Sequence, residues 1–543
     1  MVSFLQLCTA MRLRRVIVVA TLWPMRAPLT ASLTIVPLLS SSSSSSRQHS
    51  PHKNHVRLAA TTTNDRVQNK PIDDRIKNGE FLIHWKGEGN EGYSMQFRHL
   101  EFQCALQAVL RNKYDSSSSS SSSSSQSNNP LQLEFQDALQ YTGTFDNMPQ
   151  HKLTAFNEAM QYVRVVGLEE EDNSGIVTKP HFIEAAERCS LIHAAYQVVA
   201  QADSYEGLSR ETLQEKAMED MQSGKENQNA TWCVRVRHYG EISGTKKEKR
   251  HGERARSMAS ERVALKALTP LLLTFGGGVD LVNPDCKLYV FDGVRTLWGS
   301  SSNNNNNNKI LARRIAVGPR ISSIAPATRL CITNTPLCPI AAYLLCNAAG
   351  IQSGDALLDP YGGSCTVHLA AAMIADVRSV SIEIAHNGLV NRDDILRDFE
   401  TRQLTPPLAM LQGDCTDPSV REEARQALLR SNENGNEEDT TFDFIITDPP
   451  YGIRESTNYN EKSPIQELAD AIAYDRDVLG QPLLKKGGKL VCFLPCSEEE
   501  SLHQDVLPSS TELNKAGLKL ATMREQPLND SLSRWLVMFD CVR

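Results

Sequence analysis

Between Ala356 and Phe493, five apolar runs of strand length alternate with stretches of helical spacing. The runs are Ala356-Leu357-Leu358-Asp359, Ser379-Val380-Ser381-Ile382-Glu383, Met410-Leu411-Gln412, Phe444-Ile445-Ile446-Thr447 and Lys489-Leu490-Val491-Cys492-Phe493. Thr366 to Ala375 and Pro464 to Leu479 carry helical patterns between them. Parallel neighbours need crossover connections, so this alternation predicts a mostly parallel sheet with helices on both faces. Lys519 to Met523 and Trp535 to Cys541 follow as a candidate antiparallel hairpin. The expected fold class is therefore α/β over residues 325–543. Open sheets of this kind bind ligands beyond the carboxyl ends of their strands, so the chemistry is sought there.

Upstream the pattern changes. Glu80 to Trp85 and Val163 to Val166 read as strands, Phe97 to Leu110 and Phe182 to Val199 as helices. Trp232 to Arg237 alternates like a half-buried strand, a helix is expected from Arg254 to Leu273, and Leu288 to Phe291 is a further strand. These suggest two small α+β units with antiparallel sheets, over 77–204 and 205–300, and a linker over 301–324. Ser116 to Ser125, Asn303 to Asn308 and Ser431 to Thr441 are low-complexity tracts that cannot bury surface, so they read as loops or linkers.

Residues 1–76 are expected to lie outside the folded units. No acidic residue precedes Asp65, and Arg12, Arg14, Arg15, Arg26, Arg47, Lys53 and Arg57 are basic. Such a Ser-rich, acid-free stretch resembles an organelle transit peptide; an unstructured extension or a misplaced start codon is the alternative. Its apolar runs, Val16 to Leu22 and Leu33 to Leu39, are too short to span a bilayer, and no membrane contact is expected. The 13 cysteines contain no Cys-x-x-Cys pair, so no metal site is expected; Cys492 and Cys496 read as buried free thiols.

The richest strand end is Phe442-Asp443-Phe444-Ile445-Ile446-Thr447-Asp448-Pro449-Pro450-Tyr451-Gly452. Prolines stop the strand and fix the backbone. They would hold Asp448, the Pro449 carbonyl, Pro450 and Tyr451 rigidly at the sheet edge. An aromatic exocyclic amine is a poor nucleophile because its lone pair is delocalised into the ring. A carboxylate and a carbonyl that take its two N–H bonds free that lone pair, while Tyr451 stacks on the ring. An ordinary Pro-Pro turn is the competing reading of the tetrapeptide alone. Three upstream strand ends supply a cofactor site. Asp359-Pro360-Tyr361-Gly362-Gly363 is a loop entering a helix, where glycines allow close backbone approach. Glu383, 24 residues after Asp359, is placed for ribose hydroxyls. Asp414 is placed for an adenine amino group.

The net charge of −7 excludes a uniformly basic nucleic-acid binder, so any such surface is local. Lys246 to Arg262 holds Lys246, Lys247, Lys249, Arg250, Arg254, Arg256 and Arg262 against Glu248, Glu253 and Glu261, seven positive charges less three negative. It is either a solvated helix face or a phosphate-binding patch.

Ile446-Thr447-Asp448-Pro449-Pro450-Tyr451-Gly452-Ile453-Arg454-Glu455-Ser456-Thr457 resembles the signature of the eukaryotic and archaeal tRNA guanine-N2-methyltransferases that modify guanosine 10. Phe97-Arg98-His99-Leu100-Glu101-Phe102, Gly278 to Asp285, Asn334-Thr335, Glu525 to Leu528 and Arg534-Trp535-Leu536 are similar to further segments of that family. The resemblance implies a ferredoxin-like domain, an RNA-binding THUMP domain and a class I (Rossmann-like) methyltransferase domain. It implies S-adenosylmethionine as cofactor, held by Asp359, Tyr361, Gly362, Gly363, Glu383, Asp414, Asn334 and Thr335. It further implies tRNA as substrate, a small zinc-binding activator subunit as partner, and the cytoplasm as location. The chain departs from the family at Cys365, where a glycine is usual, at Ala385, where a second acid is frequent, and at Pro336. Cys365 would add a side chain near the cofactor and lower its affinity. Other amino-methyltransferases, acting on DNA adenine or protein glutamine, and a non-catalytic RNA-binding scaffold are the alternatives.

Overall fold

The computed structural model describes residues 81–86, 96–117, 132–139, 158–166, 177–212, 231–239, 258–275, 278–295, 308–333, 335–385, 388, 390–431, 440–451, 463–529 and 531–543. The N-terminal extension 1–76 lies outside them. No helix among these residues is long and apolar enough to cross a membrane.

The first part builds one seven-stranded sheet from β1 (Phe81–Trp85), β2 (Gln132–Asp137), β3 (Met160–Val166), β4 (Ile192–Ala202), β5 (Trp232–His238), β6 (Cys286–Val294) and β7 (Asn308–Val317), in the order β2-β3-β1-β4-β7-β6-β5. Three expectations are corrected here. Residues 301–324 are no linker: β7 lies between β4 and β6, so the units expected over 77–204 and 205–300 share a sheet. The pair β5–β6 is parallel rather than antiparallel. The helix expected over 182–199 ends at Arg188, and the chain continues as β4. The cause is Glu101. Its carboxylate accepts the backbone N–H groups of Ser190 (2.7 Å) and Leu191 (3.0 Å), which diverts them from helical bonding. β4 then runs between β1 and β7, largely buried on both faces, so it shows no period-two signature. The helix expected from Arg254 to Leu273 is described as Met258–Ala267 and Thr269–Leu272, with Pro270 opening the second piece.

The second sheet contains β8 (Ala356–Asp359), β9 (Arg378–Glu383), β10 (Ala409–Gln412), β11 (Phe442–Thr447), β12 (Leu484–Ser497), β13 (Leu518–Asn529) and β14 (Leu532–Cys541). Its order is β10-β9-β8-β11-β12-β14-β13, parallel from β10 to β12, with the hairpin antiparallel at the edge. All five expected strands and the hairpin are present. Alternate residues serve opposite faces. Leu357, Phe444, Ile446, Val491 and Phe493 pack toward the helices Pro339–Ala349 and Thr366–Ile374. Leu358, Ile445, Leu490 and Cys492 pack toward Pro418–Ser431 and Pro464–Asp477. Each large side chain so buried contributes about 1.5–3 kcal/mol. Cys492 and Cys496 are buried free thiols, as expected.

The helix Pro339–Ala349 is buried all round after its first residue, so no amphipathic stripe marks it in the sequence. The helix Arg98–Ser117 docks on it. Asn347 Nδ2 donates to Glu101 Oε1 at 2.9 Å and Arg111 donates to the Gly350 carbonyl at 3.0 Å. One apolar cluster therefore runs from Phe97, Phe102 and Leu106 into the second sheet.

Candidate active site at the switch point of the second sheet

From β8 the chain steps outward to β9 and β10, then returns to β11 on the other side of β8. Such a reversal opens a crevice at the strand ends. Asp359 ends β8 and Thr447 ends β11, and they are joined: Thr447 Oγ1 donates to Asp359 Oδ1 at 2.7 Å. The Tyr361 N–H also donates to Oδ1, at 3.1 Å. Asp359 is buried, and burial pushes its carboxyl from 3.8 up to about 7; the two hydrogen bonds oppose the rise, and Asp448 and Glu383 add to it. Because the folded value lies above the unfolded one, the folded chain binds this proton more tightly. Asp359 thus makes stability fall as pH rises from about 4 to about 7. Asp359→Asn is expected to flatten that part of the stability profile, measured by denaturant unfolding at pH 4.5 and 7.5; an unaltered difference would refute a buried, proton-holding Asp359.

The loop after β8 needs its glycines for two different reasons. A Cβ on Gly362 would lie 1.8 Å from Ser381 Oγ, and Gly363 has φ +48°. Glu383 is built into the loop rather than solvated at a strand end. Its Oε2 accepts the Gly363 N–H and its Oε1 the Ala385 N–H, both at 2.8 Å. Tyr361 Oη donates to the Pro464 carbonyl at 3.2 Å, tying the loop to the helix that follows β11. Cys365 has φ +58°, which explains why a glycine suits the position. Its thiol is buried, 3.6 Å from Ser381 Oγ, and burial pushes it up to about 12. The side chain thus enters the core beneath the loop. Asp414 is exposed, and its Oδ1 accepts both the N–H and the hydroxyl of Thr416 at 2.8 Å. Thr335 is exposed; Asn334 lies outside the described residues.

Sequence reasoning missed the support behind this loop. Arg329 is buried and donates to Thr366 Oγ1 at 2.6 Å and to the Ser364 carbonyl. Asp398, also buried, faces Arg329 Nε at 3.5 Å and accepts the Leu330 N–H at 3.0 Å. A lone arginine in a connecting segment carries no sequence signal for such a role.

Beyond β11, Pro449 is buried and Asp448, Pro450 and Tyr451 are half-buried. Tyr451 Oη donates to Asp448 Oδ1 at 2.7 Å. Burial and the nearby Asp448 push the phenol upward, while Arg534 opposes. Asp359, Tyr361, Gly362, Gly363, Glu383 and the Asp448–Tyr451 segment are therefore brought to one end of the sheet. Gly452 to Thr457 lie outside the described residues, as do Lys246, Lys247, Lys249, Arg250, Arg254 and Arg256. Of the other basic residues, Arg235 on β5 donates to the Leu281 carbonyl at 2.6 Å, and Arg313 and Arg314 are half-buried in β7.

Residues 326–473 match the family model described as RMKL-like, methyltransferase domain. The chain is 25% identical over 292 residues to tRNA (guanine(10)-N(2))-methyltransferase TRMT11 of Gallus gallus, covering 50% of this chain and 61% of that protein. It is 25% identical over 306 residues to the Mus musculus protein of the same name, covering 50% and 61%. The chain thus matches 61% of the length of these relatives. Among solved structures, TrmN from Thermus thermophilus is similar with a TM-score of 0.31 at 17% identity, covering 76% of this chain and all of that one.

Proposed function

We propose that this chain methylates the exocyclic N2 of a guanine in tRNA, at guanosine 10, using S-adenosylmethionine. The observation that carries the reading is the joining of Asp359 and Thr447 across the switch point, which sets the glycine loop beside Asp448 and Pro449. The cofactor fits what is there. Gly362 leaves no room for a side chain, Glu383 holds the loop backbone, and Asp359 is a buried carboxyl that an incoming ammonium would ionise. Asp359, Tyr361, Gly362, Gly363, Glu383 and Asp414, with Asn334 and Thr335, would hold it. Bound S-adenosylmethionine supplies an electrophilic methyl group on a sulfonium.

The rest is work for the chain's own groups. The Asp448 carboxylate and the Pro449 carbonyl accept the two N–H bonds of the guanine amine and turn its lone pair outward. As the N–C bond formed and the methyl–sulfur bond broke, leaving the neutral thioether, the amine would release one proton, which Asp448 accepts and passes to solvent. Tyr451 stacks on the base, an interaction worth about 1–3 kcal/mol. Because its hydroxyl already donates to Oδ1, the amine shares Asp448 with Tyr451. The sheet of β1–β7, with the segment Lys246 to Arg256, serves as the tRNA platform, and the activator subunit implied by the resemblance completes the enzyme.

Incubation of the chain and activator with transcript tRNA and methyl-labelled cofactor is expected to place label on guanine N2. Label on adenine or on protein glutamine, or none, would sink the proposal. Charge reversal at Lys246, Lys247 and Arg250 is expected to weaken tRNA binding and lower its salt dependence by roughly one counterion for each phosphate left without its cation. An unchanged salt slope would remove this segment from the interface.

A further inference from the structure

Arg421 and Arg425 on the helix Pro418–Ser431 and Asp475 on the helix Pro464–Asp477 are all buried. Arg421 meets Asp475 with both arms of its fork: Nε donates to Oδ2 at 2.8 Å and Nη2 to Oδ1 at 2.6 Å. Arg425 Nη2 also donates to Asp475 Oδ2, and to the Gln481 carbonyl at 2.9 Å. A bidentate pair fixes the plane of the guanidinium. Apolar side chains of similar volume often replace such a buried pair at no loss of stability, so cohesion of the two helices does not require it. What apolar side chains could not do is aim the remaining nitrogen. Arg421 Nη1 donates to the Cys415 carbonyl at 2.9 Å, in the turn that follows β10. The same peptide unit carries the Thr416 N–H, which donates to Asp414 Oδ1 at 2.8 Å. That peptide is trans and planar, so the direction of its C=O fixes the opposite direction of its N–H. One flat group is therefore gripped from the core by Arg421 and from the exposed side by Asp414.

We propose that Arg421 is a positioning residue that sets purine specificity at the cofactor site: by fixing the Cys415–Thr416 peptide, it orients the Asp414 carboxylate toward an exocyclic amine. The inference rests on the reading of Asp414 as the acceptor of the adenine amino group. Oδ1 is engaged by the N–H and the hydroxyl of Thr416, both at 2.8 Å, and Oδ2 then serves the ligand. An exposed carboxylate without such bonds samples several rotamers and loses that freedom on binding, which costs affinity. With the carboxylate already ordered, a 6-aminopurine brings a donor to it. A 6-oxopurine brings a second acceptor, and lone pair meets lone pair. The same chain of contacts reaches the glycine loop. The helix that carries Asp475 begins at Pro464, whose carbonyl accepts the Tyr361 hydroxyl at 3.2 Å. The turn after β10 and the loop after β8 are thus held to one helix.

The test is calorimetric binding of S-adenosylhomocysteine and of its deaminated counterpart, S-inosylhomocysteine, to the full chain and its variants, with thermal unfolding to report the fold. The parent is expected to prefer the adenosine ligand by about ten- to a hundredfold, the scale of a hydrogen bond to a charged group. Arg421→Met should cut that preference by about threefold or more, through weaker binding of the adenosine ligand, and leave the inosine ligand within about twofold. Arg421→Lys keeps the charge and loses the planar fork, so its preference should lie between those of the parent and Arg421→Met. Arg425→Met is the control. Arg425 touches the same Asp475 but not the Cys415 carbonyl, so its loss should lower stability and leave the preference within about twofold. In an Asp414→Ala background the preference should be gone, and Arg421→Met should alter it by no more than about twofold, as expected when both act through one carboxylate. If Arg421→Met does not fold, the comparison of Arg421→Lys with Arg425→Met decides. Equal weakening of both ligands by the Arg421 substitution, or an equal loss of preference in Arg425→Met, overturns the proposal. Loss of preference in Asp414→Ala but not in Arg421→Met overturns this inference alone. A parent without preference, or Asp414→Ala with the parent's preference, would overturn the reading of Asp414 and this inference with it.

Discussion

Asp448→Asn is expected to lower kcat by about a thousandfold, the upper range for loss of one group aimed at developing charge, while leaving cofactor affinity within about threefold. The substitution is nearly isosteric, and its amide oxygen can still accept from Tyr451 Oη, so the loop keeps its shape. On the proposed reading, what disappears is the charge that draws the amine hydrogens and receives the proton. The cofactor half of the site does not rest on Asp448: Glu383 holds Gly363 and Ala385, and Thr447 holds Asp359. Removing the nearby negative charge also eases the upward pressure on Asp359, so affinity should not fall. Tyr451→Ala is the contrast. It removes a stacking surface and should raise KM for tRNA, by the equivalent of about 1–3 kcal/mol. Single-turnover rates with labelled cofactor, and calorimetry for binding, separate the two. An Asp448→Asn protein that turns over within tenfold of the parent would show that this carboxylate is not the amine acceptor.

The second sheet was legible because β8, the Phe444 to Ile446 stretch of β11 and the Leu490 to Phe493 stretch of β12 are short apolar runs, and β8, β9 and β11 end in Asp359, Glu383 and Thr447. β8, β9, β11 and β12 bury both faces, so composition alone marks them, and their ends mark the site. The first part was less legible for a physical reason. β4 has a central strand's burial and contains Ala194, Ala195, Ala200 and Ala202, good helix formers, so periodicity could not separate it from the helix before it. The Glu101 carboxylate, remote in sequence, takes the two N–H groups just beyond the point where that helix stops. β7 hid behind an asparagine tract that reads as a linker, yet Asn308 is its first residue. At the site, residues with a backbone role or a charge at a strand end could be found from spacing. Arg329 and Asp398 could not, because each acts through a partner on another segment: Ser364 and Leu330 respectively.

Gly362→Ala is expected to destabilise the chain by about 2 kcal/mol, seen as a fall of several degrees in melting temperature, and to weaken cofactor binding at least tenfold. The cause is steric. The new Cβ would meet Ser381 Oγ at 1.8 Å, Ser381 Cβ at 3.1 Å and the Ile382 carbonyl at 3.3 Å. Either the loop lifts from β9 and breaks the Gly362 N–H bond to Ile382, or Ser381 is displaced from the Cys365 thiol it touches. Ser381→Ala removes the hydroxyl and leaves only the Ser381 Cβ and Ile382 carbonyl distances, both above 3.0 Å. In the Gly362→Ala background it should therefore restore at least half of both effects, although by itself it should cost less than about 1 kcal/mol. Gly363→Ala behaves differently. No atom lies closer than 4.0 Å to its Cβ, but φ +48° places the residue in the left-handed region, a cost of about 1–2 kcal/mol that no change at Ser381 relieves. Equal recovery of both glycine variants by Ser381→Ala, or recovery of neither, would contradict this division. Cys365 marks the limit of the rule: it accepts the left-handed backbone because its side chain finds a buried place against the same Ser381, on the face of β9 turned away from Val380 and Ile382. One serine thus limits what both ends of the loop can carry, while β9 holds the loop backbone through the Ile382 carbonyl and the Glu383 carboxylate.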